Sequence, residues 1–492
     1  MSGHYLDWDN RPSPFKIYKN LPSTPLPHSF PYPRKEALEA IRDEDPIDHW
    51  THVSLEKLSE ILFFSAGLTR RMRFGSEIHY MRAASATGAL YPIELYVVSN
   101  GIQGLKPGIF HFDPLSFALT QIRDPDYSSR LAESTADATA SSPVMIVFTS
   151  IAWRNAWKYE ARSYRHWFWD AGVIVANLLA TCSSEALNAK LLMGFVDSEI
   201  DQILGLETRR EATVALATIG GDGKKSVSPP AGTQLDLTTE RISKSQEDYP
   251  IIWETNSASE HHNKAEINSW RKALTASAAS TSKGPKFDLT PPVKETQSLG
   301  DTILRRGSTR RFAQKSISFE ALSTIIHAST GPIPIDFLSN DNSLIEFYLI
   351  ANAVEGLPSG AYRFERTTQS LEQLKEESRL RYVSGYLCLE QLLFSDASVV
   401  FFLMADLRRV LNDLGNRGYR AAQFEAGIRA GKIYLSSYAQ DIGASGSTFY
   451  DDAVTEFFSP HANGMSTMIA MGVGVPAYKA KPGKILPQFT PV

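Results

Sequence analysis

Residues 305–312, with the sequence RRGSTRRF, have side chains suited to binding an anion. A predicted helix ends near Arg306, because Gly307 is a poor residue for continuing a helix. In an extended chain alternate residues lie on one side, so Arg306, Ser308 and Arg310 are predicted to face together. Two guanidinium groups and a hydroxyl converging on one point suit a phosphate dianion. A solvated basic patch beside a linker is the alternative.

Lys158 is a candidate base, because it stands beside an aromatic residue and close to two arginines. Tyr159 follows it directly, and Arg162 and Arg165 come within two helical turns. Burial and neighbouring positive charge both lower the pKa of a lysine from its usual value of about 10.4. We predict that Arg162 and Arg165 supply that charge, so that Lys158 can accept a proton near neutral pH. A surface lysine whose stem lies along Tyr159 is the alternative.

Small residues form a third candidate feature, the segment RAASATGALYP at residues 82–92. It precedes a predicted strand at residues 93–98. Small side chains would let the backbone approach a flat ligand closely. An ordinary tight loop before a strand fits the spacing equally well.

The elements that carry these motifs occur twice in the chain. Ser54 and Ser318 each cap a predicted amphipathic helix. Gly172 and Gly427 are 255 residues apart in the sequence. Further pairs follow in the same order: residues 104–110 with 356–362, 144–148 with 399–404, and 195–197 with 449–451. This near-constant spacing predicts a tandem duplication, and two copies favour a pseudo-dimer over a solenoid.

Length and composition narrow the class of protein. A chain of 492 residues suits two domains, and 43% hydrophobic with 21% charged residues is typical of a globular protein. A net charge of −4 gives no basic surface for nucleic acid. The 2 cysteines lie far apart, which argues against a disulfide framework or a zinc site and favours a reducing compartment. With no apolar signal segment and no run long enough to span a bilayer, we expect a cytoplasmic protein.

Shifts in composition divide the chain into four parts. Residues 1–50 are rich in proline and aromatic residues and are predicted to form an extended arm lying on a partner surface. Residues 51–225 and 299–492 are the two repeated domains. Residues 226–298 form a long polar connector, in which residues 251–253 and 266–274 are predicted to dock on the domains. The pair His261-His262 is predicted to lie at the surface and not to bind a metal.

Together these residues resemble the nitroreductase-like flavoproteins, and more closely the SagB-type dehydrogenases. That branch includes the azoline oxidases of thiazole/oxazole-modified peptide biosynthesis. The resemblance covers roughly residues 50–225 and 299–492. It implies an α+β fold with two tandem domains, each a mostly antiparallel sheet flanked by helices, packed together as a pseudo-dimer. It also implies FMN as the cofactor.

The resemblance implies roles for individual residues. Lys158 and Tyr159 are the implied catalytic pair: the lysine takes a proton from an activated carbon while a hydride passes from the neighbouring carbon to the flavin, and the tyrosine orients or relays the proton. The phosphate segment, the loop along the flavin ring and the late basic residues supply the implied cofactor contacts, which are Arg306, Gly307, Ser308, Arg310, Arg82, Ala86, Thr87, Gly88, Leu90, Ser445, Gly446, Ser447, Lys479 and Lys481.

The two copies differ in a way that predicts one site per chain. Arg42 stands where Arg306 stands in the second copy, but three acids follow it at residues 43–45 and would repel a phosphate. The second copy has Asp413-Leu414 in place of Lys158-Tyr159 and lacks the small-residue loop. We therefore predict one FMN per chain, with the phosphate on the second half and the ring contacts and base on the first.

The implied function is an FMN-dependent dehydrogenase that removes a proton and a hydride from a C–C or C–N unit. Azoline-to-azole oxidation of a modified peptide, or reaction of a related small molecule, is the implied chemistry. A peptide substrate would call for a separate partner of the cyclodehydratase type. Two alternatives remain: an NAD(P)H-dependent nitro- or quinone reductase, and a flavin-binding partner subunit without catalysis. The pseudo-dimer is compatible with a monomer.

Overall fold

The computed structural model describes residues 5–42, 52–75, 77–221, 235, 237–272, 284–294, 296–339 and 342–479. Lobe 1 and the arm before it contain β1 (Ser23–Pro25), α1 (Ala37–Arg42), α2 (Leu55–Ala66), β2 (Leu68–Phe74), β3 (Glu77–Arg82), β4 (Ile93–Ser99), β5 (Gly108–Asp113), β6 (Ala118–Arg123), α3 (Ser128–Ser134), β7 (Val144–Ile151), α4 (Ala152–Tyr159), α5 (Tyr164–Ser184), β8 (Ala189–Leu192), α6 (Asp197–Leu204) and β9 (Glu211–Ile219).

The connector contains α7 (Pro250–Ser257), α8 (Lys264–Trp270) and β10 (Lys286–Asp288). Lobe 2 contains α9 (Leu299–Arg305), β11 (Ile317–Ser318), α10 (Phe319–Thr330), β12 (Glu346–Ala351), β13 (Val354–Glu355), β14 (Gly360–Glu365), β15 (Ser370–Lys375), α11 (Leu380–Leu387), α12 (Leu392–Asp396), β16 (Val399–Ala405), α13 (Leu407–Leu414), α14 (Arg417–Ala439), β17 (Gly443–Ser447), α15 (Asp451–Phe458) and β18 (Ser466–Gly474).

Two seven-stranded sheets with the same strand order confirm the α+β fold and its duplication. The order is β1-β6-β5-β4-β7-β9-β8 in lobe 1 and β10-β15-β14-β12-β16-β18-β17 in lobe 2, and neighbouring strands are antiparallel. The arm and the connector each add an equivalent edge strand. The arm also contains α1, whose apolar residues are buried, so this part of the arm packs on its own chain more fully than an extended segment would.

The repeated helix starts are where the sequence places them. Ser54 accepts a hydrogen bond from the Lys57 amide at 3.4 Å, and Ser318 accepts one from the Ala321 amide at 3.1 Å. Such side-chain caps satisfy backbone donors that have no partner inside the helix. The matching helices α2 and α10 are both 12 residues long.

The lobes meet where α5 crosses α14, and glycine permits the close approach of the two helices. A Cβ atom on Gly172 would lie 2.6 Å from the Gly427 carbonyl carbon, and one on Gly427 would lie 2.7 Å from the Trp169 carbonyl oxygen. Nearby, Tyr164 and Tyr419 stack with ring centroids 6.3 Å apart and planes 3° from parallel. The paired glycines of the repeat therefore lie together at the pseudo-twofold axis, and the chain is a pseudo-dimer.

Gly172→Ala is expected to destabilise the chain by about 1–3 kcal/mol or more, because the new methyl group would contact helix backbone that cannot move aside cheaply. Urea unfolding of the purified chain measures this change. Gly331→Ala is the matched control, since a Cβ there would have only the His327 carbonyl oxygen nearby, at 3.9 Å. Equal stability for the two variants would contradict this account of the crossing.

Two reciprocal ion-pair clusters also join the lobes. Arg162 and Arg165 of lobe 1 donate to Asp451 of lobe 2 at 2.8 and 2.7 Å. Arg417 and Arg420 of lobe 2 donate to Asp197 of lobe 1 at 2.7 and 2.6 Å. We call these clusters the Asp451 clamp and the Asp197 clamp.

The connector helices cover the side of the lobe boundary that carries the Asp197 clamp. Trp253 of α7 and Trp270 of α8 are buried, as predicted for those segments. The prediction of a surface position is wrong for His261, which is buried against Trp270 with ring centroids 5.4 Å apart. No helix in the described part of the chain is both long and apolar enough to cross a membrane.

Candidate functional site

Lys158 and Tyr159 stand at the C-terminal end of α4, half-buried at the surface of lobe 1. The preceding Trp157 is buried, and its indole N–H donates to the Asp7 carbonyl of the arm at 3.0 Å. Glu160 has φ of 49° and ends the helix. The Lys158 Nζ lies 5.3 Å from the centre of the Tyr159 ring.

The positive charges near Lys158 belong to residues that are distant in the sequence, and not to the two arginines predicted to supply them. Burial lowers the pKa of Lys158, and the charges of Arg11 and Arg310 lower it further. The prediction that Arg162 and Arg165 supply this charge is wrong, because both bind Asp451 in the clamp. The arm and lobe 2 therefore each place an arginine close to the candidate base of lobe 1.

The small-residue loop contains three residues with left-handed backbone conformation. Gly88, Ala89 and Tyr91 have φ of 63°, 53° and 49°. Such conformations are unfavourable for residues other than glycine and are concentrated at functional sites. A Cβ atom on Gly88 would lie 2.9 Å from the Tyr159 hydroxyl oxygen. Only glycine fits at this position, and Tyr159 contacts the loop directly.

A buried acid, Asp170 of α5, supports this loop. Its carboxylate accepts hydrogen bonds from the Thr87 amide at 2.9 Å, the Thr87 hydroxyl at 2.8 Å and the Asn155 amide group at 3.4 Å. Burial raises the pKa of Asp170 to about 7. Burial and the nearby Asp170 raise the pKa of Tyr159 to about 12, so the phenol stays protonated at neutral pH. Asp170 is not among the site residues predicted from the sequence, where its signal is an acid within an apolar helix.

The predicted phosphate-binding segment of lobe 2, residues 305–312 (the phosphate motif), lies against lobe 1. Arg306 donates to the Ala83 carbonyl oxygen at 2.9 Å and to the Arg82 carbonyl oxygen at 3.2 Å. Arg70 of β2 reaches in the opposite direction and donates to the Leu304 and Arg305 carbonyl oxygens at the end of α9. Burial and the charge of Arg306 both lower the pKa of Arg70.

Two tyrosines of α14 contact the phosphate motif. The Ser308 hydroxyl is 3.1 Å from the Tyr434 hydroxyl, which also accepts the Gly446 amide at 2.8 Å. Thr309 faces the other way, towards Tyr438 at 3.2 Å. Arg306 also lies over the Tyr434 ring, so Arg306 and Ser308 lie on the same side of the segment. Neither tyrosine was identified from the sequence.

The remaining predicted residues lie in different places. Ser445 is buried, Gly446 is exposed, and Ser447 accepts a hydrogen bond from the Gln391 side chain at 2.8 Å. Leu90 is buried in the core. Ala86 is half-buried at the start of the loop, Arg310 and Lys479 are exposed, and Lys481 and the acids at residues 43–45 lie outside the described residues.

The side chain of Arg82 is used inside lobe 1. Its guanidinium donates to the Pro14 carbonyl oxygen at 2.6 Å and to the Ile93 carbonyl oxygen at 3.4 Å. The backbone carbonyl of Arg82, and not its side chain, meets the phosphate motif through Arg306.

The connector occupies the pseudo-symmetric position on the other side of the axis. Trp270 donates its indole N–H to the carbonyl oxygen of Leu414, the counterpart of Tyr159, at 3.1 Å. Arg271 binds Asp336 at 2.8 Å, and Asp336 accepts the Gly194 amide at 3.0 Å. A Cβ on Gly194 would lie 2.9 Å from Ile267. Connector residues therefore pack against the position in the second copy that corresponds to Tyr159 in the first.

Comparisons with known proteins agree with this architecture. The Nitroreductase family model matches residues 50–221. A crystal structure from Anabaena variabilis, assigned as a nitroreductase, has a TM-score of 0.76 and 26% sequence identity, and covers 97% of this chain and 96% of that chain.

Two relatives are similar over about a third of this chain. MJ1384 of Methanocaldococcus jannaschii, assigned as a nitroreductase, is 25% identical over 157 residues, which are 32% of this chain and 76% of that protein. The trifolitoxin-processing protein TfxB of Rhizobium leguminosarum bv. trifolii is 26% identical over 171 residues, which are 33% of this chain and only 46% of TfxB. The chain is therefore similar to the nitroreductase-like proteins, and its two equivalent lobes repeat their fold in tandem.

Proposed function

We propose that this chain is an FMN-dependent dehydrogenase of the SagB type, with one site built by both lobes. The observation that carries the proposal is the position of Arg310. This residue belongs to the phosphate motif of lobe 2, yet its charge lowers the pKa of Lys158 in lobe 1. This observation supports a single site that contains both the proposed anion-binding segment and the candidate proton acceptor.

The side chains present fit FMN at both of its ends. Arg70 and Arg306 are close to each other, and the described residues supply no carboxylate to either, which suits a phosphate dianion. A Cβ on Gly307 would have only the Tyr438 hydroxyl at 3.7 Å and Arg70 at 3.9 Å nearby, so there is open space beside the motif. Gly88 is exposed and offers a flat backbone surface for the ring.

When bound, FMN would supply the redox chemistry. The chain itself would supply a base and a fixed geometry. Lys158, with its lowered pKa, would accept a proton at Nζ from an activated carbon of the substrate. Tyr159, held protonated between Gly88 and α4, would orient the substrate through its hydroxyl. The lobe 2 segment Ser445–Ser447 would close the site from the opposite side.

A single flavin per chain follows from the asymmetry. The counterpart position holds Trp270 and Arg271 of the connector, and Leu414 replaces Tyr159 there. We also propose that Lys479 and Lys481 contact the phosphate. The proposed domain division is the arm, the two repeated domains and the connector between them.

Arg306→Ala is expected to weaken FMN binding at least about tenfold, because a charged donor to the phosphate is lost. Arg42→Ala removes the counterpart arginine of lobe 1 and serves as the control, with affinity expected to be unchanged. Quenching of flavin fluorescence measures both affinities, and the absorbance of the wild-type holoprotein gives the stoichiometry. A flavin-to-chain ratio near two, or equal losses in both variants, would overturn the proposal.

Peptide processing is the favoured role, since TfxB is named as a trifolitoxin-processing protein. We propose a thiazoline- or oxazoline-bearing peptide, or a related small molecule, as the substrate, with a cyclodehydratase-type partner. A reductase is the second candidate, because MJ1384 and the Anabaena protein are assigned as nitroreductases. Rapid mixing with NADPH separates the two: fast bleaching of the flavin favours the reductase.

A further inference from the structure

Helices α5 and α14 each carry a buried acid at the same position, two residues before the glycine at which they cross. In lobe 1, Asp170 accepts the amide and hydroxyl hydrogens of Thr87 at 2.9 and 2.8 Å. In lobe 2, Glu425 accepts the Leu344 amide at 2.8 Å and the Ser343 hydroxyl at 2.5 Å. Both lobes therefore use a carboxylate from the central helix to hold the loop that precedes the first central strand.

The two acids differ in their counter-charge. Arg429, one turn further along α14, donates to Glu425 at 2.7 Å, and both side chains are 1% exposed. The equivalent residue of α5 is Ile174, and Asp170 makes no ion pair with any described residue. A buried carboxylate without a counter-charge is costly, and lobe 2 shows that the loop can be held without that cost. The unpaired acid occurs in the lobe that carries Lys158 and Tyr159.

The groups around Asp170 are mostly neutral at neutral pH. Burial raises the pKa values of two nearby phenols, Tyr91 of the loop and Tyr159 of α4. The charge of Asp170 raises both pKa values further. His166, one turn earlier on α5, is buried and its pKa lies well below the usual value, so the ring is neutral. Arg82, Tyr91 and Asp170 line one small cavity, but the Arg82 guanidinium binds backbone carbonyl oxygens.

We propose that Asp170 is a positioning residue of the candidate site, whose ionised carboxylate holds the Thr87–Gly88 turn against α4. The bond to Asn155 links it to α4 three residues before Lys158. Through these contacts Asp170 sets the place of the loop relative to Tyr159, whose hydroxyl contacts Gly88. The identity of the ligand rests on the proposed function. The observation that Asp170 has no counter-charge among the described residues does not depend on it.

The proposal has consequences with opposite signs for function and for stability. Because the carboxylate form holds the loop, FMN affinity should fall as the pH drops below about 7. The pKa of Asp170 is raised above the value near 3.9 of an unfolded chain, so its contribution to stability is largest in acid and is lost as the pH rises through about 7. A neutral residue of the same shape removes both effects.

Asp170→Asn in the full chain tests this, with FMN as the probe at about pH 6 and pH 8 and Glu425→Gln as the matched control. We expect Asp170→Asn to weaken FMN binding about tenfold at pH 8 and to remove the pH dependence of FMN affinity. The melting temperature of the flavin-free variant at pH 8 should be at least as high as that of the wild type. Glu425→Gln should lower the melting temperature, because Arg429 loses its partner, and leave the affinity within about twofold.

The inference is overturned if Asp170→Asn binds FMN with the affinity and pH dependence of the wild type. It is also overturned if Asp170→Asn lowers the melting temperature as much as Glu425→Gln does. If Asp170→Asn does not fold, Thr87→Val removes one donor, and unchanged FMN affinity at pH 8 in that variant then overturns it. A wild-type chain that binds no FMN refutes the proposed function instead. In that case the melting temperatures of the wild type and of Asp170→Asn at pH 6 and pH 8 still show whether the carboxylate of Asp170 lacks a counter-charge.

Discussion

The Lys158→Ala chain is expected to bind FMN as tightly as the wild type and to turn over at least about 100-fold more slowly, because a general base typically contributes 10²–10⁴-fold. A synthetic peptide with one thiazoline is the probe, and mass spectrometry follows the loss of two hydrogens. In the wild type the rate should rise with pH and level off below the usual lysine pKa, since burial, Arg11 and Arg310 lower that of Lys158.

Asp413→Ala is the matched control for this variant. Asp413 occupies the same position at the end of α13 that Lys158 occupies at the end of α4. Its replacement should leave turnover within about twofold of the wild type, because the pseudo-symmetric position is filled by the connector. Unchanged turnover in Lys158→Ala would show that another group accepts the proton. Loss of the flavin would show that the lysine serves binding.

Asp197→Asn is expected to lower the free energy of unfolding by about 3–5 kcal/mol, because it leaves two buried guanidinium groups without their anion. Arg417 and Arg420 are 2% and 1% exposed in this clamp, and Asp197 is 4% exposed. Although burial opposes ionisation, these arginines hold the pKa of Asp197 below its usual value. The stabilisation is therefore present above about pH 4 and is lost as the pH falls further.

Asp451→Asn is the natural comparison, since it breaks the pseudo-symmetric clamp. Asp451 is 36% exposed, so water screens its pairs with Arg162 and Arg165. We expect a loss of about 1 kcal/mol or less. Urea unfolding of both flavin-free variants at neutral pH, and again near pH 3, measures the difference. Equal losses at neutral pH would mean that the connector does not shield the Asp197 clamp from water.

Local interactions made much of the architecture readable from the sequence. Ser54 and Ser318 cap their helices through bonds that span only three residues, so each start is determined by its own segment. Gly172 and Gly427 could be paired because only a residue without a Cβ permits the helix crossing. The repeated spacing then predicted two equivalent lobes, and the matching strand orders confirm them.

The details of the candidate site depended on long-range contacts. Arg70 bonds to Leu304, 234 residues away, and no local pattern indicates that pairing. Arg162 and Arg165 were placed near Lys158 because they are close in sequence, but they extend across the lobe boundary to Asp451. The position of a long, flexible side chain is set by whichever charge the packed lobes bring within reach, and not by its neighbours in the chain.

By itself the sequence determined the duplication, the residue types of one predicted anion-binding segment and one predicted base, and the different residues at the corresponding positions of the other copy. Only the tertiary structure decided that the charge of Arg310 acts on Lys158, that Asp170 binds Thr87 with no counter-charge among the described residues, and that Trp270 contacts Leu414 in the other copy. The physical reason is that periodicity and capping are local properties of the backbone. Burial, charge pairing and occupancy arise only when the two lobes and the connector pack together.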